Sequence, residues 1–160
     1  IFENPQALTQ AIQFADTISK SGLIPQGLTG KPADVLVILL TGRELGLSPM
    51  QALRSIHIVQ GKPVLGADLY RALALKHPEC EYFRLVESTT SKATFETKRR
   101  GSEPQKKTYT IEDAQRTDLT GKDNWKRMPS EMLVARCSAI LSRLVYPDSF
   151  AGVYGSTEFD

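Results

Sequence analysis

The stretch DNWKRMPSEMLVARCSAILSRLVYPDSFAGVY, residues 123–154, carries the clearest helix signal in the chain. Pro129 suits the first turn of a helix, where its missing N–H costs no hydrogen bond. Glu131 then places a negative charge at the positive end of the helix dipole. A tyrosine, a proline and an aspartate at 146–148 end the pattern, so we predict a helix from Pro129 to Val145. Its apolar residues recur at helical spacing and predict one buried face: Leu133, Cys137, Ile140, Leu141 and Leu144.

Two arginines share one side of this predicted helix. Arg136 and Arg143 are seven residues apart, which places them roughly 10 Å apart along the axis. Small residues lie beside them, namely Ala135, Ala139 and Ser142. One interpretation is a surface where small side chains let a polyanion approach and guanidinium groups bind its phosphates. The other is a core helix with two solvated arginines, and the spacing leaves both open.

Upstream of this helix the sequence predicts a mixed α+β fold. The second helical run, residues 35–40, is apolar on nearly every side, so we expect it to be buried in the core or against a neighbouring subunit. Gly61 supplies the positive φ that a hairpin turn needs, and Thr110 with Asp113 has the spacing of a capping box. The predicted helices are 5–21, 33–45, 67–76 and 111–116, with a helical turn from 49, a hairpin over 56–65, and strands over 80–87, 92–100 and 106–110.

Together these segments predict a three-stranded antiparallel meander plus a hairpin, packed with about five helices. The 160 residues suffice for one hydrophobic core and are few for two, so we predict a single domain over 1–160. An apolar fraction of 41% and a charged fraction of 24% are ordinary for a globular protein. Two cysteines do not indicate a disulfide framework, and no signal peptide or membrane-length apolar run is visible, so we expect a cytoplasmic protein with no membrane association.

The sequence lacks the patterns that mark nucleotide-binding sites, catalytic nucleophiles and metal sites. No phosphate-binding loop with its two glycines and lysine is present, and no residue lies in a nucleophile motif. His57, His77 and Cys80 lack a second ligand pair at metal spacing, so we interpret them as structural. We therefore predict no catalytic residue, no metal and no cofactor. A net charge of +2 is too small to indicate nucleic acid by itself, so a DNA site would require cations gathered on one surface.

The most cationic segment is the predicted turn at 98–107, with five basic residues and one acidic residue. Its tip, around Arg99, is either a DNA or subunit contact or an ordinary solvated loop. Trp125 either stacks on a base, a contact worth about 1–3 kcal/mol, or anchors its loop against the last helix.

Two segments of the chain resemble the RecT/Redβ family of phage-type single-strand annealing proteins. The first resembles the family's helix signature through Trp125, Pro129, Met132, Leu133, Arg136, Arg143 and the ending Phe-Ala-Gly-Val-Tyr at 150–154. The second resembles its core through the Gly-Leu-Ser-Pro turn at 46–49, the Gly-Lys-Pro turn at 61–63 and the helix after Gly66. The resemblance spans about residues 36–154, with both segments in the family's order.

The resemblance implies an oligomerising protein that binds single-stranded DNA and anneals complementary strands without ATP, with no enzymatic step. It implies a homo-oligomeric ring or filament, an annealed duplex as product, and a phage exonuclease or host single-strand-binding protein as partner. The family's C-terminal partner-binding segment is one that we expect this chain to lack.

Under this hypothesis Arg136 and Arg143 bind phosphates. The same groove is lined by Arg116, Lys122, Lys126 and Arg127, with Trp125, Lys62 and Arg99 as further DNA-binding candidates. The alternatives are a metal-dependent nucleic-acid enzyme and a sequence-specific DNA-binding regulator.

Overall fold

The structure is a computed structural model that describes residues 3–150 and the backbone of residues 154–155. Its helices are α1 (Pro5–Ser19), α2 (Pro32–Glu44), α3 (Pro49–Ser55), α4 (Ala67–Lys76), α5 (Ile111–Arg116), α6 (Asp123–Arg127) and α7 (Pro129–Val145). Its strands are β1 (Ile56–Val59), β2 (Lys62–Leu65), β3 (Cys80–Ser88), β4 (Lys92–Arg99), β5 (Gln105–Thr110) and β6 (Tyr154–Gly155). The predicted α+β class, with its meander and its hairpin, is confirmed.

The chain divides into two compact units, Ile1–Leu65 and Gly66–Asp160. The prediction of one domain stays a prediction, and each unit is described by itself. None of the described helices is both long and apolar enough to cross a lipid bilayer.

The first unit packs α1, α2 and α3 with the β1–β2 hairpin. The hairpin turns at Gln60 and Gly61, whose φ angles are 51° and 76°, so the predicted positive φ at Gly61 is confirmed. The apolar helix α2 buries Val35 and Ile38 completely, yet Val37 on the same helix is 45% exposed. One side of α2 therefore belongs to the core of this unit, while another side meets solvent.

The second unit is built on the antiparallel sheet β3–β4–β5, with α4 and α7 packed against it. Phe95 of β4 is buried and contacts Phe83 of β3, with ring centroids 5.6 Å apart. Glu96 points to the opposite face, because side chains alternate along a strand. It is nevertheless only 9% exposed, since Tyr82 donates a hydrogen bond to it at 3.0 Å and Arg84 donates another at 2.5 Å.

The start of α5 confirms the predicted capping box. The Asp113 N–H donates to the Thr110 hydroxyl at 3.1 Å, and the Thr110 N–H donates to the Asp113 carboxylate at 3.0 Å. Each side chain thus satisfies a backbone donor that the helix start would leave unpaired. Between the predicted helices at 111–116 and 129–145 the structure adds the short helix α6, which begins at Asp123.

Gly42 of α2 is the position where the first unit tolerates no side chain. A Cβ atom built there would overlap the Cβ of Ala52 in α3. We predict that Gly42→Ala destabilises the protein by about 1–3 kcal/mol through overpacking, although alanine is the better helix former. Thermal unfolding followed by circular dichroism measures this change.

The matched control is Gly22→Ala, because a Cβ at Gly22 meets nothing within 4 Å. An equal melting temperature for Gly42→Ala and the control would contradict the close α2–α3 contact.

Candidate nucleic-acid interface

Helix α7 begins and ends where the sequence predicts, at Pro129 and Val145. Its predicted buried face is only partly correct. Leu133, Cys137 and Leu141 are completely buried, but Leu144 is 62% exposed. The contact with α4 and the sheet is rotated toward smaller residues, so Ser138 and Ala139 are 2% exposed.

The small residues of α7 serve protein packing. The Ser142 hydroxyl donates to the Ser138 carbonyl at 2.7 Å, and the Ser138 hydroxyl donates to the Ala135 carbonyl at 3.0 Å. These bonds satisfy the hydroxyl groups within the helix, so both serines can be buried. The suggestion that Ser142 and Ala139 open the surface to a polyanion is therefore wrong, because protein already covers both side chains.

Arg136 packs against the protein on the β5 side of α7. Its guanidinium carbon lies 5.9 Å from the centroid of the Tyr109 ring, and its Nε and Nη1 atoms are buried. Tyr109 itself is 6% exposed. A guanidinium over an aromatic ring gains cation–π attraction, so part of Arg136 supports the fold. The side chain as a whole is half-buried.

Arg143, seven residues later, is exposed. It lies near Tyr70 of α4, whose phenol is buried. Burial raises the pKa of Tyr70 to about 12, and the positive charge of Arg143 acts against that rise. The two aligned arginines therefore occupy different environments, and Arg143 is the more exposed of the two.

The basic residues before α7 flank a buried tryptophan. Trp125 is only 4% exposed, and its helix α6 packs against α7. Its ring is therefore unavailable for base stacking in this conformation, which supports the anchoring interpretation. Lys122 and Lys126 are exposed. Arg127 is exposed as well and pairs with Asp123 at 2.6 Å, one helical turn earlier.

The remaining surface candidates are less concentrated. Arg116 is exposed and contacts the carboxylate of Asp113. At the β4–β5 turn Arg100 is exposed, but Lys98 pairs with Glu81 at 2.6 Å. Lys62 is exposed and belongs to the first unit, whereas the other eight candidates belong to the second.

Arg99 has a structural role, which corrects its assignment to DNA. Its guanidinium binds both carboxylate oxygens of Asp148, at 2.8 and 3.0 Å, and contacts Glu79 at 3.1 Å. It also donates to the carbonyl of Val145, the last residue of α7, at 2.8 Å. The side chain is 21% exposed. A guanidinium committed to two carboxylates and a helix carbonyl has little capacity left for phosphate.

His77 and Tyr146 complete what we call the Arg99 cluster, which comprises Arg99, Glu79, His77, Asp148 and Tyr146. The Nε2 atom of His77 lies 2.8 Å from Asp148, and its Nδ1 accepts the Glu79 N–H at 3.0 Å. The Tyr146 hydroxyl lies 2.6 Å from that of Thr97, and burial raises the pKa of Tyr146 to about 12. The cluster thus fixes the C-terminal end of α7 to the sheet.

Sequence reasoning missed this cluster because its members are scattered along the chain. His77 and Glu79 follow α4, Arg99 ends β4, and Asp148 lies beyond α7. Within the described part of the chain, no group of three or more histidine, cysteine or acidic residues has the arrangement of a metal site.

Comparison with known proteins adds no assignment. No protein-family model matches the chain, and no curated protein matches it significantly. The resemblance to the RecT/Redβ family stays a prediction.

The ion pair in the Arg99 cluster should make the stability of the protein sensitive to acid. The guanidinium of Arg99, helped by His77, holds the pKa of Asp148 well below its usual range. In the unfolded chain that carboxyl titrates near its ordinary value of about 4. Its contribution to stability is therefore complete above that value and is lost as the pH falls below it.

We expect Asp148→Asn to lower the melting temperature at pH 7. Between pH 5 and pH 3 the melting temperature of this variant should fall less than that of the wild type, because the variant has no carboxylate to protonate at this position. Calorimetry of the wild type and the variant across this pH range measures both melting temperatures. The other carboxylates are the same in the two proteins, so the difference between the two profiles reports Asp148 alone. Parallel pH profiles for the two proteins would contradict the role given to Asp148.

Proposed function

We propose that the protein binds single-stranded DNA and anneals complementary strands without ATP, as a homo-oligomer in homologous recombination. The observation that carries this proposal is the exposed Arg143 on a helix whose end is fixed by the Arg99 cluster. A cation on a rigidly held helix binds a backbone phosphate with less loss of side-chain and backbone freedom. The resemblance of residues 36–154 to the RecT/Redβ family supports the same function.

Under this proposal the interface extends from Arg143 along α7 to the exposed lysines Lys122 and Lys126. Arg116 and Arg127, which contact Asp113 and Asp123, belong to the same proposed interface. Arg136 acts partly through its packing on Tyr109. Trp125 is buried and Arg99 binds Asp148, so neither is proposed as a DNA contact.

Annealing requires little chemistry from the protein. The cations neutralise phosphate charges and so reduce the repulsion between two polyanions, and the counterions that are released favour binding. Pairing of the bases then supplies about 1.4 kcal/mol per base-pair step, so no nucleotide hydrolysis is needed. Several copies side by side would extend the cationic surface along the strand. An exonuclease or a single-strand-binding protein that delivers single strands is the partner class that this reaction requires.

Strand annealing without a nucleotide tests the proposal directly. We expect complementary oligonucleotides, one carrying a fluorophore and the other a quencher, to pair faster with the protein than alone, with neither ATP nor Mg²⁺. Affinity for one strand, measured by fluorescence anisotropy, should fall steeply with salt concentration. Cleavage of the strands on adding Mg²⁺ would favour a nuclease, and binding restricted to one duplex sequence would favour a regulator.

Replacing Arg143 should affect binding more than folding. We predict that Arg143→Ala lowers the affinity for single-stranded DNA by about tenfold, the value of one charge-assisted hydrogen bond. The slope of log affinity against log salt should fall by about 1, because one phosphate contact is lost. The melting temperature should change little, since the side chain is exposed.

Arg84→Ala is the matched control, because Arg84 is 62% exposed on the sheet face opposite α7. Equal loss of affinity in both variants would show that only overall charge matters.

Arg136→Ala should lower stability as well as affinity, because its guanidinium packs on Tyr109.

A further inference from the structure

The sheet of the second unit has two edge strands, β3 and β5, and they differ in regularity. The pairing of β3 with β4 is interrupted twice, between Cys80 and Tyr82 and between Leu85 and Glu87. Such bulges bend an edge strand and hinder its pairing with a further strand. The pairing of β4 with β5 shows no such interruption. The edge suited to a further strand is therefore that of β5.

The outer edge of β5 presents the backbone groups of Lys106 and Thr108. The N–H of Thr110, at the end of the strand, donates to the Asp113 carboxylate at 3.0 Å, whereas the N–H of Ile111 donates to the carbonyl of the residue before β4. The backbone groups of alternate strand residues point to the same side, so those of Lys106 and Thr108 point away from β4, as that of Thr110 does. Among the residues that the structure describes, β5 pairs only with β4. We call these outward groups the β5 edge.

Positive charge lies on both faces of the sheet at the β5 edge. Lys106 is opposite Glu96 in the strand register and Lys107 is opposite Phe95, so the two lysines project from opposite faces. Lys106 is 61% exposed and lies 3.7 Å from Glu96, a contact that contributes little at this exposure. Lys107 is half-buried, and Arg100 in the turn before β5 is exposed. This charge favours an acidic partner.

An acidic peptide in an extended conformation matches the β5 edge in both backbone and charge. Its carbonyl and N–H groups pair with the outward N–H and carbonyl groups, as in other peptides that add a strand to a sheet. Adjacent acidic residues of the added strand lie on opposite faces, so that one carboxylate meets Lys106 and the next meets Lys107.

Other occupants match the β5 edge less well. The phosphates of a polynucleotide only accept hydrogen bonds, so they leave the outward carbonyls of Lys106 and Thr108 without donors. The β5 strand of a second copy would place lysines opposite lysines, and like charges in such positions destabilise strand pairing.

We propose that the β5 edge binds an extended acidic segment of a partner protein, which adds a fourth strand to the sheet beside Lys106 and Thr108. Main-chain hydrogen bonds hold the segment, and its adjacent carboxylates select it through Lys106 and Lys107. The inference goes beyond the proposed function and requires neither strand annealing nor self-assembly, because the contact lies at the sheet edge and not on the outer surface of α7.

A synthetic peptide tests the contact on the unaltered protein. The probe has two adjacent glutamates, flanked on each side by a valine and a threonine, with blocked termini and a fluorescein label, and fluorescence anisotropy measures its binding. The matched control has the same side chains but N-methyl groups on its backbone amides, so it keeps the charge and loses the main-chain donors. We expect the control to bind at least about tenfold more weakly, since each lost hydrogen bond is worth up to that factor.

Thr108→Pro removes one outward N–H from the protein, and proline is tolerated in an edge strand where the N–H faces away from the sheet. Thr108→Ala is the matched control, because both changes remove the hydroxyl that bonds Thr94 at 2.8 Å and only proline removes the N–H. We expect Thr108→Pro to bind the probe about tenfold more weakly than Thr108→Ala. Circular dichroism checks the fold, and the N-methyl control decides the question if Thr108→Pro does not fold.

Amide hydrogen exchange followed by NMR locates the bound probe. We expect the probe to protect the N–H groups of Lys106 and Thr108, whereas those of Lys107 and Tyr109 point toward β4 and should change little. Failure of the probe to bind, equal binding of the N-methyl control, or protection of other amides instead would overturn the proposal. So would protection of the Lys106 and Thr108 amides by single-stranded oligothymidylate in place of the probe. Absence of annealing together with normal probe binding would count only against the proposed function.

Discussion

The bidentate ion pair between Arg99 and Asp148 is the interaction on which the second unit depends. Through the same guanidinium, Arg99 donates to the carbonyl of Val145, so the end of β4 holds the end of α7. A helix leaves its last carbonyls without partners, and a cation there both satisfies one of them and complements the helix dipole. Because the guanidinium is fixed from two sides, the side chains that α7 presents have a defined position relative to the sheet.

That constraint separates the arginines of the second unit by role. Arg99 binds Asp148 and so stabilises the fold. Arg136 packs on the Tyr109 ring and is half-buried, whereas Arg143 is exposed. Ser138, Ala139 and Ser142 lie on the buried side of α7, together with Leu133, Cys137 and Leu141. The proposed DNA interface is thus the outer surface of a helix whose inner surface is packed in the core of the second unit.

The sequence predicts most of this fold because the signals are local. Proline at the first turn fixes the start of α7, glycine at 61 fixes the hairpin, and the box of Thr110 with Asp113 fixes the start of α5. Sequence-based prediction fails where contacts between distant parts of the chain decide which side chains are buried or paired. Hydrophobic spacing predicts that Leu144 is buried, but Leu144 is exposed and Ser138 and Ser142 are buried in its place. The Ser142 hydroxyl can be buried because it donates to the Ser138 carbonyl of the same helix. Local charge density makes Arg99 a DNA-binding candidate, because its actual partners lie 20 and 49 residues away in the chain.

We propose that a single strand lies along the outer surface of α7. Arginine labelling with phenylglyoxal, read by mass spectrometry with and without a single-stranded oligonucleotide, tests it most directly. We expect DNA to protect Arg143, while Arg84, on the opposite face of the sheet, keeps its reactivity. Protection of Arg84 alone, or equal reactivity of both arginines with and without DNA, would contradict it.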